Sequence, residues 1–119
     1  MATAFSATKI SGPHVIGPKL KVAFYKVQMP SASTEAGEAL DLSSDFNYVY
    51  GASFGNRGVE ADFGYKFSLA GTYGANGVAA AGLVVTEHMG SDSAAAFDIV
   101  AANTDLKAID DMTMMVWGN

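Results

Sequence analysis

The 119-residue chain contains no cysteine, and none of its first 34 residues is acidic. Without cysteine, disulfides, thiolate metal sites and thiol nucleophiles are excluded. No apolar run approaches the roughly 20 residues a helix needs to cross a bilayer. The opening MATAFSATKISGPH lacks a basic stretch followed by an apolar one, so no secretory signal is read and a soluble protein is expected. Charged residues make up only 16% of the chain and hydrophobic ones 50%, a balance that excludes an intrinsically disordered polymer. The length suits one domain with one core. Low charge combined with 13 glycines and many alanines suggests that further surface is hidden in an assembly.

The missing acids create an asymmetry. Lys9, Lys19, Lys21 and Lys26 precede Glu35 without a counter-charge, whereas from Glu35 onward 12 acids face only Arg57, Lys66 and Lys107. The first segment therefore carries +4 and the remainder −9. One reading is a solvated strand face; the other is an arm that reaches an acidic neighbour. Four spaced lysines without arginine, on an acidic protein, make a poor footprint for nucleic acid, and none is expected as a partner.

What is abundant is alternation. In VEADFGYKFSL (59–69) Val59, Ala61, Phe63, Tyr65, Phe67 and Leu69 occupy the odd positions and polar residues or glycine the even ones. Successive strand side chains point to opposite faces, so this pattern predicts a strand with one dry face. FNYVYGASF (46–54) alternates Phe46, Tyr48, Tyr50, Ala52 and Phe54 against Asn47, Val49, Gly51 and Ser53. With Gly55-Asn56-Arg57-Gly58 between the two runs, a β-hairpin is expected. KLKVAFYKVQM (19–29), LVVTEHM (83–89) and MTMMVWG (112–118) read as further strands, the first with apolar residues on both faces. SASTEAGEA reads as a loop and ALDLSSDF as a short strand or turn. GTYGANG reads as a hairpin loop, while SAAAFDIVAAN is ambiguous between helix and strand. Pro13 and Pro18 favour an extended path through residues 1–18. The expected fold is all-β and mainly antiparallel: a small β-sandwich or β-barrel over residues 19–119 behind an extended N-terminal arm.

Little chemistry emerges from the motifs. GASFG (51–55) matches the G-x-S-x-G pattern of hydrolases, but a nucleophile elbow needs a helix to follow the serine and βα units around it. Here Ser53 lies in an aromatic strand, and Gly51 and Gly55 read as a bulge and a strand end. His14 and His88 have no partner pattern. Glu87 and His88, as strand neighbours, point to opposite faces. DLSSD (41–45) and Asp110-Asp111 do not match a calcium loop and read as Asx turns and solvated acids. No catalytic residue, metal site or cofactor is expected. Met112, Met114, Met115 and Trp117 form a soft apolar strand suited either to a core or to a subunit interface.

ALDLSSDFNYVYGASF (39–54), the alternating strand after it, the Gly/Ala-rich loop and the closing AANTDLKAIDDMTMMVWGN (101–119) together resemble small virion structural proteins of tailed bacteriophages, similar to capsid decoration (cement) proteins. The resemblance implies a non-enzymatic β module on the exterior of an icosahedral capsid. It further implies the major capsid protein as partner and self-association, as a homotrimer or other homo-oligomer; no membrane partner is expected. Many weak copies on a lattice act together. Lys9, Pro13, Pro18, Lys19 and Trp117 are the candidate interface residues on this reading. A phage tail or neck component, or a small coat protein, stays open as an alternative. So does a ligand- or carbohydrate-binding sandwich with Tyr48, Tyr50 and Tyr65 as a platform.

Overall fold

A computed structural model describes residues 4–34, 36–55, 65–89, 98–99, 102–103 and 112–119. Ten strands lie among the described residues: β1 (Ser6–Gly17), β2 (Leu20–Gln28), β3 (Glu38–Leu40), β4 (Tyr48–Gly55), β5 (Tyr65–Ala70), β6 (Tyr73–Gly74), β7 (Gly77–Ala79), β8 (Leu83–Met89), β9 (Asp98–Ile99) and β10 (Met112–Gly118). They form two antiparallel sheets, as the alternation predicts. The six-stranded sheet runs β1-β2-β10-β4-β7-β6; the four-stranded one runs β3-β8-β5, with β9 also pairing β8.

One hydrophobic cluster joins the sheets. Ala23, Tyr25 and Val27 of β2, Met112, Met114 and Val116 of β10, and Val49 and Val78 meet Leu40, Leu83 and Val85 of the smaller sheet. Leu42 and Phe46, from the turn between β3 and β4, enter the same cluster. Alternation accounts for the facing: residues 112, 114, 116 and 118 of β10 are buried, while Met115 is exposed. The methionine-rich closing strand thus serves both uses its composition allows, with two methionines in the core and the third turned outward.

β4 shows why its alternation misleads. Trp117 pairs with Gly51, but Gly118 pairs with Val49, so Tyr50 is an extra residue and the strand bulges there. The bulge changes the phase: Val49 is buried and Tyr50 exposed, while Ala52 and Phe54 pack on the core as expected. The expected hairpin between the two aromatic runs is not what the described residues form. β4 pairs with β10 and β7, whereas β5 pairs with β8 in the other sheet. Residues 56–64, including Phe63 and the intervening turn, lie outside the described residues. GTYGANG does form a hairpin, β6 to β7, through the two-residue turn Ala75-Asn76. Of the ambiguous stretch, β9 is the described strand.

The N-terminal segment differs from a free arm. It is extended, but Ser6–Gly17 folds back on β2 through a tight turn at Pro18 and Lys19. Twelve residues of β1 lie against nine of β2, and register shifts near Ile10, between Ser11 and His14, and near Ile16 absorb the difference. Gly12, at φ 101°, sits where a Cβ would come 2.8 Å from the Val22 carbonyl oxygen, so only glycine fits this crossing. Pro13 is tolerated because β1 is the edge of its sheet, where a missing N–H breaks no ladder bond.

Candidate functional site

Four of the five candidate interface residues fall on one hairpin. Lys9 and Pro13 lie in β1, and Pro18 and Lys19 form the turn. Trp117 is in β10, which pairs with β2 on the side away from β1. Opposed residues of antiparallel strands share a face, so the register links them. Val22 is flanked by His14 and Trp117, and Phe24 by Ser11 and Met115. The outer face of the six-stranded sheet therefore carries an apolar patch of Val22, Phe24, Met115 and Trp117 running onto β4 at Gly51 and Ser53. At the hairpin end of the same sheet Ile10, Val15 and Ile16 are 59%, 76% and 63% exposed.

Gly51 explains part of this face. A Cβ there would lie 2.5 Å from the Trp117 ring, so the glycine is the space the indole occupies. Ser53 is exposed on the same strand, opposite Met115, and its neighbours are strand residues on both sides. GASFG is a regularly paired run of strand up to the last residue of β4, with the bulge one residue before the expected Gly51, at Tyr50; it is not a turn into a helix. His88 lies in β8, in the other sheet. The structure does bring a different serine and histidine together: Ser11 Oγ and His14 Nε2 are 2.5 Å apart across the Gly12-Pro13 crossing. Among the described residues His14 has no second partner to orient its ring, and the pair sits on an exposed edge. A nucleophile with its base needs that third group and a pocket.

The inner side of the hairpin is organised around Asp45, which the sequence places within DLSSD among Asx turns and solvated acids; its side chain is instead largely buried and bonded to Lys9 and Tyr25. Lys9 Nζ donates to Asp45 Oδ1 at 3.1 Å, the Tyr25 hydroxyl donates to Oδ2 at 2.6 Å, and Lys21 Nζ donates to the Asp45 carbonyl at 2.8 Å. Lys21 also stands 5.6 Å from the Phe46 ring centre, a cation–π distance. Lys9, Lys21 and Tyr25 converge because residues 21 and 25 of β2, and residue 9 opposite 25, share the inward face. Burial pushes the Asp45 carboxyl up, but the bonds from Tyr25 and Lys9 and the charges of Lys9 and Lys21 outweigh it, holding the group below its ordinary value. Burial, then the bond to Asp45 and its charge, raise the Tyr25 hydroxyl well above a normal tyrosine. Lys9 and Lys21 are thus committed within the chain, whereas Lys19 is exposed at the turn.

DLSSD forms the expected Asx turn, with the Ser43 N–H donating to Asp41 Oδ1 at 2.9 Å, which lowers the Asp41 carboxyl. Among the described residues no group of three or more His, Asp or Glu side chains is arranged to hold a metal. The three tyrosines proposed as a sugar platform are separated: Tyr48 is half-buried, Tyr50 is exposed, and Tyr65 belongs to the other sheet. Tyr50 instead bridges to the hairpin, its hydroxyl donating to the Lys19 carbonyl at 3.0 Å. Beside it an open cleft is lined by Lys19, Tyr50, Asn76 and Asn119. No helix among the described residues is long and apolar enough to cross a membrane. Compared with known proteins, the chain matches no family model, no curated protein and no solved structure.

Proposed function

We propose that this chain is a non-enzymatic decoration protein of a tailed-bacteriophage capsid, bound to the shell's outer surface and partnered with the major capsid protein and further copies of itself. The observation that carries this reading is the coincidence of two properties on one sheet. The β1–β2 hairpin bears lysines and no acid, and the same sheet carries outward apolar side chains: the exposed Ile10, Val15 and Ile16 on its edge strand, Met115 and the half-buried Trp117 on its face. Exposed apolar patches on small proteins mark interaction sites. An acid-free rim selects an acidic partner and speeds encounter. Each contact is weak, and repetition over a lattice supplies retention.

The test is cosedimentation with capsid shells of the parent phage. Val15→Asp with Ile16→Asp should reduce occupancy at least tenfold, and Lys19→Glu should weaken binding mainly at low salt, because screening removes exposed charge attraction. Full occupancy by the double aspartate variant, or location of the chain in the tail of imaged particles, would overturn the reading. The cleft beside Tyr50 favours one second reading. An aromatic ring with a lysine and two carboxamides can hold a polyhydroxylated ligand such as an oligosaccharide. Glycan-dependent shifts of the Asn76 and Gly77 amides, lost in Tyr50→Ala, would favour it.

A further inference from the structure

Four segments meet at the cleft beside Tyr50: the Pro18-Lys19 turn, the β4 bulge, the Ala75-Asn76 turn and the residue that follows β10. Contacts among them fix its walls. The Tyr50 hydroxyl holds the Lys19 carbonyl, and the Asn119 N–H donates to the Tyr48 carbonyl at 2.8 Å. Gly77, at φ 114°, lies so near that a Cβ there would stand 3.2 Å from Tyr50 Cδ1, so the ring is seated against bare backbone. The cleft measures about 380 Å³, within the roughly 300–1,000 Å³ of small-molecule sites. No aspartate or glutamate lines it. Its polar side chains are also uncommitted. The Lys19 ammonium and the Asn76 and Asn119 carboxamides have no hydrogen-bond or ion-pair partner among the described residues. Lys9 and Lys21, by contrast, are held at Asp45.

We propose that this cleft binds a carboxylated sugar, such as a uronic acid unit of an acidic polysaccharide, with Lys19 as the residue that selects for the acid. The inference rests on the second, ligand-binding reading of the cleft and is independent of the capsid reading. The chemistry of the lining chooses the ligand. An ammonium offers donors and no acceptor, which matches a carboxylate, an acceptor with no donor. Each carboxamide offers both, which matches sugar hydroxyls. Tyr50 supplies an apolar ring face for the sugar to lie on. Its hydroxyl is already bonded to the Lys19 carbonyl, so ring and lysine are held in one geometry before a ligand arrives. A nucleic acid fits poorly, since one lysine is no basic stripe.

The full chain is titrated with trigalacturonic acid, and the Asn76 and Gly77 amide shifts are followed. The methyl ester of the same trisaccharide keeps the rings and hydroxyls and lacks the charge. The acid should bind at least about fivefold more tightly than the ester, because a charge-assisted hydrogen bond is roughly twice as strong as a neutral one. Added salt should narrow the difference. Lys19→Met keeps the backbone carbonyl that Tyr50 holds; it should erase the preference and leave ester binding unchanged. Tyr50→Ala should abolish binding of both sugars while the β8 amides stay protected from exchange, which shows that the variant folds. Acetate at the same concentration should move neither amide. Equal affinity for acid and ester, a preference that survives in Lys19→Met, or equal shifts from acetate would each overturn the proposal. The two ideas fail differently. Ester binding without a preference for the acid sinks the acid selectivity alone, whereas binding of neither sugar at millimolar concentration sinks the ligand-binding reading with it.

Discussion

Replacing Asp45 by alanine should be the most damaging single change at the rim of the core, and the structure says how the loss divides. The Tyr25 side chain is buried, with 3% of the residue exposed, and its hydroxyl donates to the Asp45 carboxylate. Hydrogen bonds to charged groups contribute roughly 1.5–3 kcal/mol, and a stranded buried hydroxyl costs a comparable amount. The Lys9 pair adds little: its lysine side chain is 45% exposed, and such pairs are worth about 0–1 kcal/mol. Lys21 is unaffected, because it bonds the Asp45 backbone carbonyl, which alanine keeps. The total is about 2–4 kcal/mol, or a fall in Tm on the order of 10 °C for a domain of this size. Asp45→Asn keeps an acceptor for Tyr25 and should lose about half as much, and Lys9→Ala should stay within about 1 kcal/mol. Urea denaturation followed by Trp117 fluorescence measures all three. The pH dependence has a definite sign. Asp45 is held below its unfolded value, so its contribution is complete above about pH 4 and lost as pH falls through the folded-state pKa. Tyr25 is raised, so its contribution is complete below about pH 10 and lost above it. Tyr25→Phe should remove the alkaline loss. If Asp45→Ala cost no more than Lys9→Ala, or if Tyr25→Phe left the alkaline limb unchanged, the account of Asp45 as the anchor of the hairpin would be refuted.

Met114→Ala should cost about 2–5 kcal/mol by leaving a cavity, whereas Met115→Ala should stay near 0.5 kcal/mol; equal losses in denaturation would mean that β10 faces the other way. Gly51→Ala should destabilise by about 1–3 kcal/mol and shift Trp117 emission, because the new Cβ meets the indole; an unchanged spectrum and midpoint would show that the glycine makes no room for the ring. Neither Ser53 nor Ser11 should react with a fluorophosphonate, and labelling that disappears in Ser53→Ala or Ser11→Ala would establish an esterase-like centre where none is expected.

The sequence by itself determined the elements whose signal is local. β2, β8 and β10 are legible because period-two alternation needs only neighbouring residues, and the β6–β7 turn because glycine and asparagine favour its geometry. GASFG was legible as strand instead of a strand-to-helix elbow for the same reason: the residues around a serine are its local context. Only tertiary structure decided the pairing. β10, the last strand in the chain, inserts between β2 and β4, so the partner of each is set by residues some 60 or more positions away. That insertion places Trp117 against Gly51, and the bulge at Tyr50 exchanges the facing of Val49 and Tyr50 while Ala52 and Phe54 keep the facing read from the alternation. The N-terminal segment looked like a free arm because prolines and small residues report extension, not partnership; β2 supplies the partner. The candidate surface divides in the same way. Its lysines and apolar residues were visible as composition, but their division between an inward anchor at Asp45 and an outward face required three separate elements to meet. Side-chain facing follows from local periodicity, whereas strand order and register depend on contacts between distant parts of the chain.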